Sequence, residues 1–189
     1  MHDPRVLISD YLSGLFARAK PCRLWRNQSG ATAVEFALVG APFFAVLMAI
    51  IESAIVLLSG QVLQTATTNA ARQVMTGQAQ NAPWNAAQFK AYVCGGLTVM
   101  FDCGKLAIDV RSVPSSQGFD AIAPLTVTNS DGTLTNAYLY QPGSCGDDVI
   151  VTLIYQWPIL AWGLGIGLVN SANHTNTLTA SAAFRNEPC

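Results

Sequence analysis

The run from Ala31 to Ser59, ATAVEFALVGAPFFAVLMAIIESAIVLLS, carries only two formal charges, Glu35 and Glu52. About 20 predominantly apolar residues suffice to cross the hydrocarbon of a bilayer as a helix, and this run reaches about 43 Å at 1.5 Å per residue. A buried helix of a soluble core is the competing reading. An ordinary secretory peptide fits poorly, because the preceding segment is long and no A-x-A pattern closes the run. The run is therefore expected to be a transmembrane helix. Pro42 sits inside it, where the missing N–H should kink the helix and free one carbonyl.

The flanks give the helix a direction. Residues 1–30 hold Arg5, Arg18, Lys20, Arg23 and Arg26 against Asp3 and Asp10, whereas the remainder is acidic, within an overall charge of -1. Cytoplasmic flanks collect Lys and Arg, so the basic leader is expected in the cytoplasm and the rest on the far side. Charged residues make up 11% of the chain, under half of the roughly one quarter usual for soluble domains. A basic arm for nucleic acid is not expected: no aromatic interleaving and no basic domain accompany it.

Beyond Ser59 the apolar residues thin to one stripe, Leu63, Ala66, Ala70 and Val74, at helical spacing. The spacing predicts that the helix continues out of the bilayer over 60–77 and stops at Gly77. Asn85 is placed to cap a short helix from Ala86 to about Leu97. Lys105–Val113, Asp148–Trp157 and Leu178–Arg185 read as strands, with a weaker one near Leu134–Tyr140 inside a loop-rich stretch over 114–147. The sequence thus predicts four parts: a basic leader (1–30), a transmembrane helix (31–59), a helix extension (60–77) and an α+β domain with a small antiparallel sheet (78–189). A second span over Ile150–Val169 is disfavoured by Gln156, Pro158 and the glycines at 163, 165 and 167.

Little in the chain suggests catalysis. His2 and His174 are the only histidines, so no triad assembles, and the Gly163, Gly165, Gly167 series lacks the Lys-Ser/Thr of a phosphate loop. No cofactor is expected. Zinc would need closely paired cysteines, and none of the five lies in a C-x-x-C pair. Asp147-Asp148 reads as a solvated strand start. Cys22 precedes the helix, while Cys94, Cys103, Cys145 and Cys189 follow it. An even number beyond the membrane suits disulfides in an oxidising compartment, and four cysteines allow three connectivities.

Residues 26–75 carry a more specific pattern: Arg26, Gly30, Val34-Glu35-Phe36-Ala37-Leu38 and Pro42. It resembles the TadE-like family of tight-adherence (Flp) pilus biogenesis. The Cys94…Cys103 pair before a strand, and the closing Phe184-Arg185-Asn186-Glu187-Pro188, are similar to that family too. The resemblance implies a bacterial inner-membrane protein with its N-terminus in the cytoplasm and its C-terminal domain in the periplasm. It implies cleavage by a prepilin peptidase between Gly30 and Ala31. Glycine at that junction lets an enzyme approach the backbone closely. The new α-amine of Ala31 would pair with Glu35 of a neighbouring subunit, beside Phe36, where many relatives have Tyr. Expected partners are the peptidase, other pilins, pilus-assembly membrane proteins and the lipid bilayer. The domain is large for a major pilin, which points to a minor pilin or pseudopilin; the alternative is an uncleaved, membrane-anchored binding module.

Glu52 lies 17 residues beyond Glu35 and about 100° round the helix, so the two carboxylates do not share a face. Glu52 is expected either at a partner helix during assembly or near the outer headgroups. Cys94 with Cys103 and Cys145 with Cys189 are the preferred disulfides.

Overall fold

A computed structural model describes residues 30–82, 84–97, 100–164 and 167–188. The expectations for the basic leader before Gly30, for Cys22 and for Cys189 lie outside these residues. The chain divides into two compact units between Phe44 and Ala45, and each is described by itself.

The first unit contains the start of helix α1, Ala31–Met75. Its large apolar side chains, Val34, Phe36, Leu38, Val39, Phe43 and Phe44, are all exposed. Consecutive positions on a helix point in different directions, so exposure of Leu38 with Val39 and of Phe43 with Phe44 leaves no inward face. Helical structure continues through Pro42. The most apolar stretch of α1 has mean hydropathy 2.3 and is 11% buried, so it is not the core helix of a soluble fold. Among the described residues α1 is the one helix long and apolar enough to cross a membrane.

The second unit is α+β. From Glu52 onward α1 buries one face, formed by Glu52, Val56, Ser59, Leu63, Thr67, Ala70, Ala71 and Val74. The spacing of three and four residues is that of a single helical stripe. Ser59 and Thr67 are polar yet fully enclosed, and each hydroxyl donates to the carbonyl one turn back, Ile55 and Leu63, at 2.8 Å. These small residues let neighbouring elements approach the helix closely without stranding a donor. The helix stops at Met75, where Gly77 takes the left-handed conformation (φ 75°) that glycine adopts without penalty.

Helix α2 is the single turn Gln78–Asn81, and α3 spans Ala86–Gly95. Asn85 caps α3 as expected, and Gln88 completes a reciprocal box with bonds of 2.9 and 3.0 Å. Three antiparallel strands follow in the order β1 (Leu106–Val113), β2 (Asp148–Pro158), β3 (Thr175–Arg185). Leu106 lies opposite Tyr155, and Val110 opposite Val151, which in turn faces Ala182. The stretch Leu134–Tyr140 is not a strand: it makes only isolated bridges, Leu134 to Thr128 and Tyr140 to Val110. Asp109 Oδ1 already takes the N–H of Leu139, which diverts that segment from regular pairing.

The core joins Leu63, Ala70 and Val74 of α1 to Phe89 and Val93 of α3 and to Val110, Val149, Val151 and Leu153 of the sheet. β2 is buried along most of its length because it is the central strand. The C-terminal segment returns to α1, with the N–H of Glu187 donating to the carbonyl of Met75 at 3.0 Å.

Two buried carboxylates fix the loops. Asp109 pairs with Arg111 at 2.8 Å, and Arg111 reaches on to the carbonyls of Ala123 and Ala137, pinning two points within the long loop. Asp148, read from sequence as a solvated strand start, is instead fully enclosed and bonds Arg185 across the β2–β3 pair at 2.7 Å. Its position at the start of a strand gave no sign that Arg185 stands opposite it.

Candidate functional site

The N-terminal end of α1 presents the residues expected to matter for processing and assembly. Gly30, Ala31, Glu35 and Phe36 are all exposed, with the Phe36 ring 73% open. A Cβ built on Gly30 would meet nothing within 4 Å, so the backbone on either side of the Gly30–Ala31 bond is open to an approaching molecule. Glu35 sits one turn into the helix, near the positive end of the dipole and beside exposed apolar side chains. An ionised carboxylate in that setting is costly in hydrocarbon unless paired, by about 2.5–3.5 kcal/mol at the centre of a span.

The other carboxylate of α1 is placed differently. Glu52 is 8% exposed. Its Oε1 accepts the backbone N–H of Leu160, and its Oε2 accepts that of Ala161 at 2.8 Å. These amides belong to the loop just after β2, more than a hundred residues along the chain. Both carboxylate oxygens therefore hold a turn of the same molecule, where sequence reasoning had placed a partner helix or headgroups. The one signal in the sequence was the oddity of an acid inside an apolar run; nothing marked Leu160 and Ala161 as its donors, because backbone amides carry no sequence signature.

The same region holds a small apolar cleft of about 240 Å³ lined by Met48, Ile51, Glu52, Ile55, Trp157, Pro158 and Leu160. Farther along, Cys94 and Cys103 are disulfide-bonded with Cα atoms 5.8 Å apart, closing the turn between α3 and β1. Cys145 is also disulfide-bonded, and Cys189, its expected partner, lies outside the described residues. The ring of His174 stacks on Trp162 at 4.0 Å between centroids. Among the described residues no group of three or more His, Cys, Asp or Glu side chains could hold a metal ion.

Among the described residues, electrostatic perturbation falls at turn and packing positions; hydrogen bonds from Thr133 hold exposed Asp131 below the usual carboxylate value. The carboxylate of Asp148 holds the Arg185 guanidinium above its usual pKa through a direct hydrogen bond and its charge. Burial raises the hydroxyls of Tyr138 and Tyr140, with the charge of Asp109 adding to the rise at Tyr138. None of these brings a poised acid or base to a cleft.

The family described as TadE-like protein matches residues 30–72, from the junction glycine almost to the end of α1. That is the family whose features Gly30, Glu35, Phe36 and Pro42 resemble. Neither the curated proteins nor the solved structures give a match to the chain.

Proposed function

We propose that the chain is a minor pilin or pseudopilin of a tight-adherence (Flp) pilus system, processed by a prepilin peptidase and acting in pilus assembly. The observation that carries this reading is the match to TadE-like proteins over residues 30–72, which begins at the junction glycine itself. The open backbone at Gly30–Ala31 supports it, since a peptidase must reach that bond from outside the helix. Cleavage would leave the α-amine of Ala31 at the head of an apolar helix. That cation is the natural counter-ion for Glu35 of an adjacent subunit, because pairing removes both charges from hydrocarbon together. Phe36 would pack beside this pair.

The domain beyond the membrane gives assembly a protein surface to read, with its loops fixed by the disulfides and by Asp109–Arg111. The chain is not an enzyme in this reading and uses no cofactor. It lies in the bacterial inner membrane with the leader in the cytoplasm and the domain in the periplasm.

Co-expression with and without a prepilin peptidase, followed by intact mass and N-terminal sequencing, tests the proposal. The expected mature chain starts at Ala31. A chain that still starts at Met1 beside an active peptidase refutes processing and leaves the uncleaved binding module.

A further inference from the structure

The exposed surface of α1 changes character abruptly. Leu57 and Leu58 are 71% and 54% exposed, whereas the exposed positions that follow are Gln61, Gln64, Thr65, Thr68 and Asn69. In a membrane-crossing helix the water boundary lies where apolar side chains give way to polar ones. Here that boundary falls between Leu58 and Gln61. Glu52 lies six to nine residues before it, which is about 9–13 Å on the lipid side. The β2–β3 loop bonded to Glu52 is therefore below the water boundary as well.

The loop is built for that depth. Leu160 is 84% exposed, the most open of the large hydrophobic side chains among the described residues, and Trp162 is 53% exposed. Leu160 also lines the apolar cleft with Met48, Ile51 and Ile55, so its surface is continuous with the flank of the spanning helix. Backbone N–H groups at membrane depth must be satisfied from within the protein, since lipid offers no acceptor. Glu52 does this for the two amides that follow Ile159, and the N–H of Ile159 itself donates to the carbonyl of His174 at 3.0 Å. The two amides in turn solvate a carboxylate that would otherwise be stranded in the apolar run. Trp162, stacked on His174, presents the amphipathic ring that favours the headgroup region.

We infer that the β2–β3 loop, through Leu160 and Trp162, inserts into the leaflet on the domain's side, making a second membrane contact beside α1. This seats the sheet domain directly on the bilayer, with Glu52 as the internal clamp. The inference rests on α1 spanning a bilayer and is independent of cleavage at Gly30.

The test uses the full chain in phosphatidylcholine–phosphatidylglycerol vesicles, carrying Cys22→Ser and one added cysteine labelled with an environment-sensitive fluorophore. The added positions are Leu160→Cys, Trp162→Cys, Val46→Cys within the span and Ser116→Cys. Ser116 follows β1 at the opposite end of the sheet, about 33 Å away along β2. Labels at 160 and 162 should be quenched several-fold more by lipids brominated near the headgroup end of the chain than by aqueous iodide. The label at 116 should show the reverse. Iodide quenching at 160 and 162, with lipid quenching at 46, overturns the inference. Quenching by neither agent at 160, or an oxidant-induced dimer through Leu160→Cys, means that protein covers the loop and equally overturns it. Absence of lipid quenching at 46 refutes the spanning helix and the inference together.

Discussion

Glu52→Gln isolates the clamp between α1 and the β2–β3 loop. Glutamine keeps the volume of the side chain but replaces one acceptor oxygen with an NH₂ donor. The native carboxylate accepts one N–H on each oxygen, from Leu160 and from Ala161. In the variant one amide keeps a neutral acceptor while the other faces a donor. Hydrogen bonds to charged groups contribute about 1.5–3 kcal/mol each and neutral ones about 1 kcal/mol. Losing one and weakening the other removes about 2–5 kcal/mol. Part of this is returned, because the variant no longer has a charge to desolvate. A net loss of about 2 kcal/mol is expected, which for a chain of this size lowers Tm by about 4–8 °C. Thermal unfolding of the full chain in detergent micelles, followed by tryptophan fluorescence, measures it. Glu52→Ala should be at least as damaging, since both amides then lose their acceptor. A Glu52→Gln variant within about 0.5 kcal/mol of the parent would refute the reasoning, because shifts of that size are usual for surface changes without a specific contact.

Three further outcomes follow from the loops and strands. Asp109→Ala removes the carboxylate paired with Arg111 and strands the N–H of Leu139, and breaking a buried pair of this kind should cost about 3–5 kcal/mol. Limited proteolysis should then show new cleavage within 114–147, with Asp109→Asn milder because it keeps an acceptor. Gly143 has φ 72°, and a Cβ there would lie 2.9 Å from the Cβ of Ser112. Gly143→Ala should therefore cost about 2 kcal/mol, whereas Gly60→Ala, in open space on a helix, should gain about 0.5–1 kcal/mol; melting curves of the two must move in opposite directions. The raised hydroxyls of Tyr138 and Tyr140 contribute stability that is complete below the ordinary tyrosine value of 10.0 and is lost as pH rises through their folded values. Denaturant midpoints should fall in strongly alkaline buffer, and replacing both tyrosines with phenylalanine should lessen that fall.

Much of the architecture was legible because it follows from local rules. The apolar run announced α1, the Leu63–Val74 stripe announced its continuation, and Gly77 marked its end. Strand-like runs located the three strands to within a few residues, and Asn85 marked the start of α3. The start of β3 moved for a tertiary reason: Thr175–Thr177 extend it because Pro158, Trp157 and Gln156 stand opposite them. Leu134–Tyr140 has strand-like composition, but it meets the β1 edge only at Tyr140, where the Leu139 N–H goes to the Asp109 carboxylate, so it makes bridges only.

The proposed junction at Gly30–Ala31 and the placement of Glu35 and Phe36 rest on the order of residues. So is the length of α1, because helix periodicity and hydropathy are properties of neighbours in sequence. The roles of Glu52, Asp109 and Asp148 belong to the tertiary structure. A carboxylate's partner is whatever donor the fold brings within about 3 Å, and backbone amides or a guanidinium on another strand leave no periodic trace. Hydropathy placed Glu52 in the membrane run, and only the packing of the sheet against α1 turned it into the acceptor that holds Leu160 and Ala161.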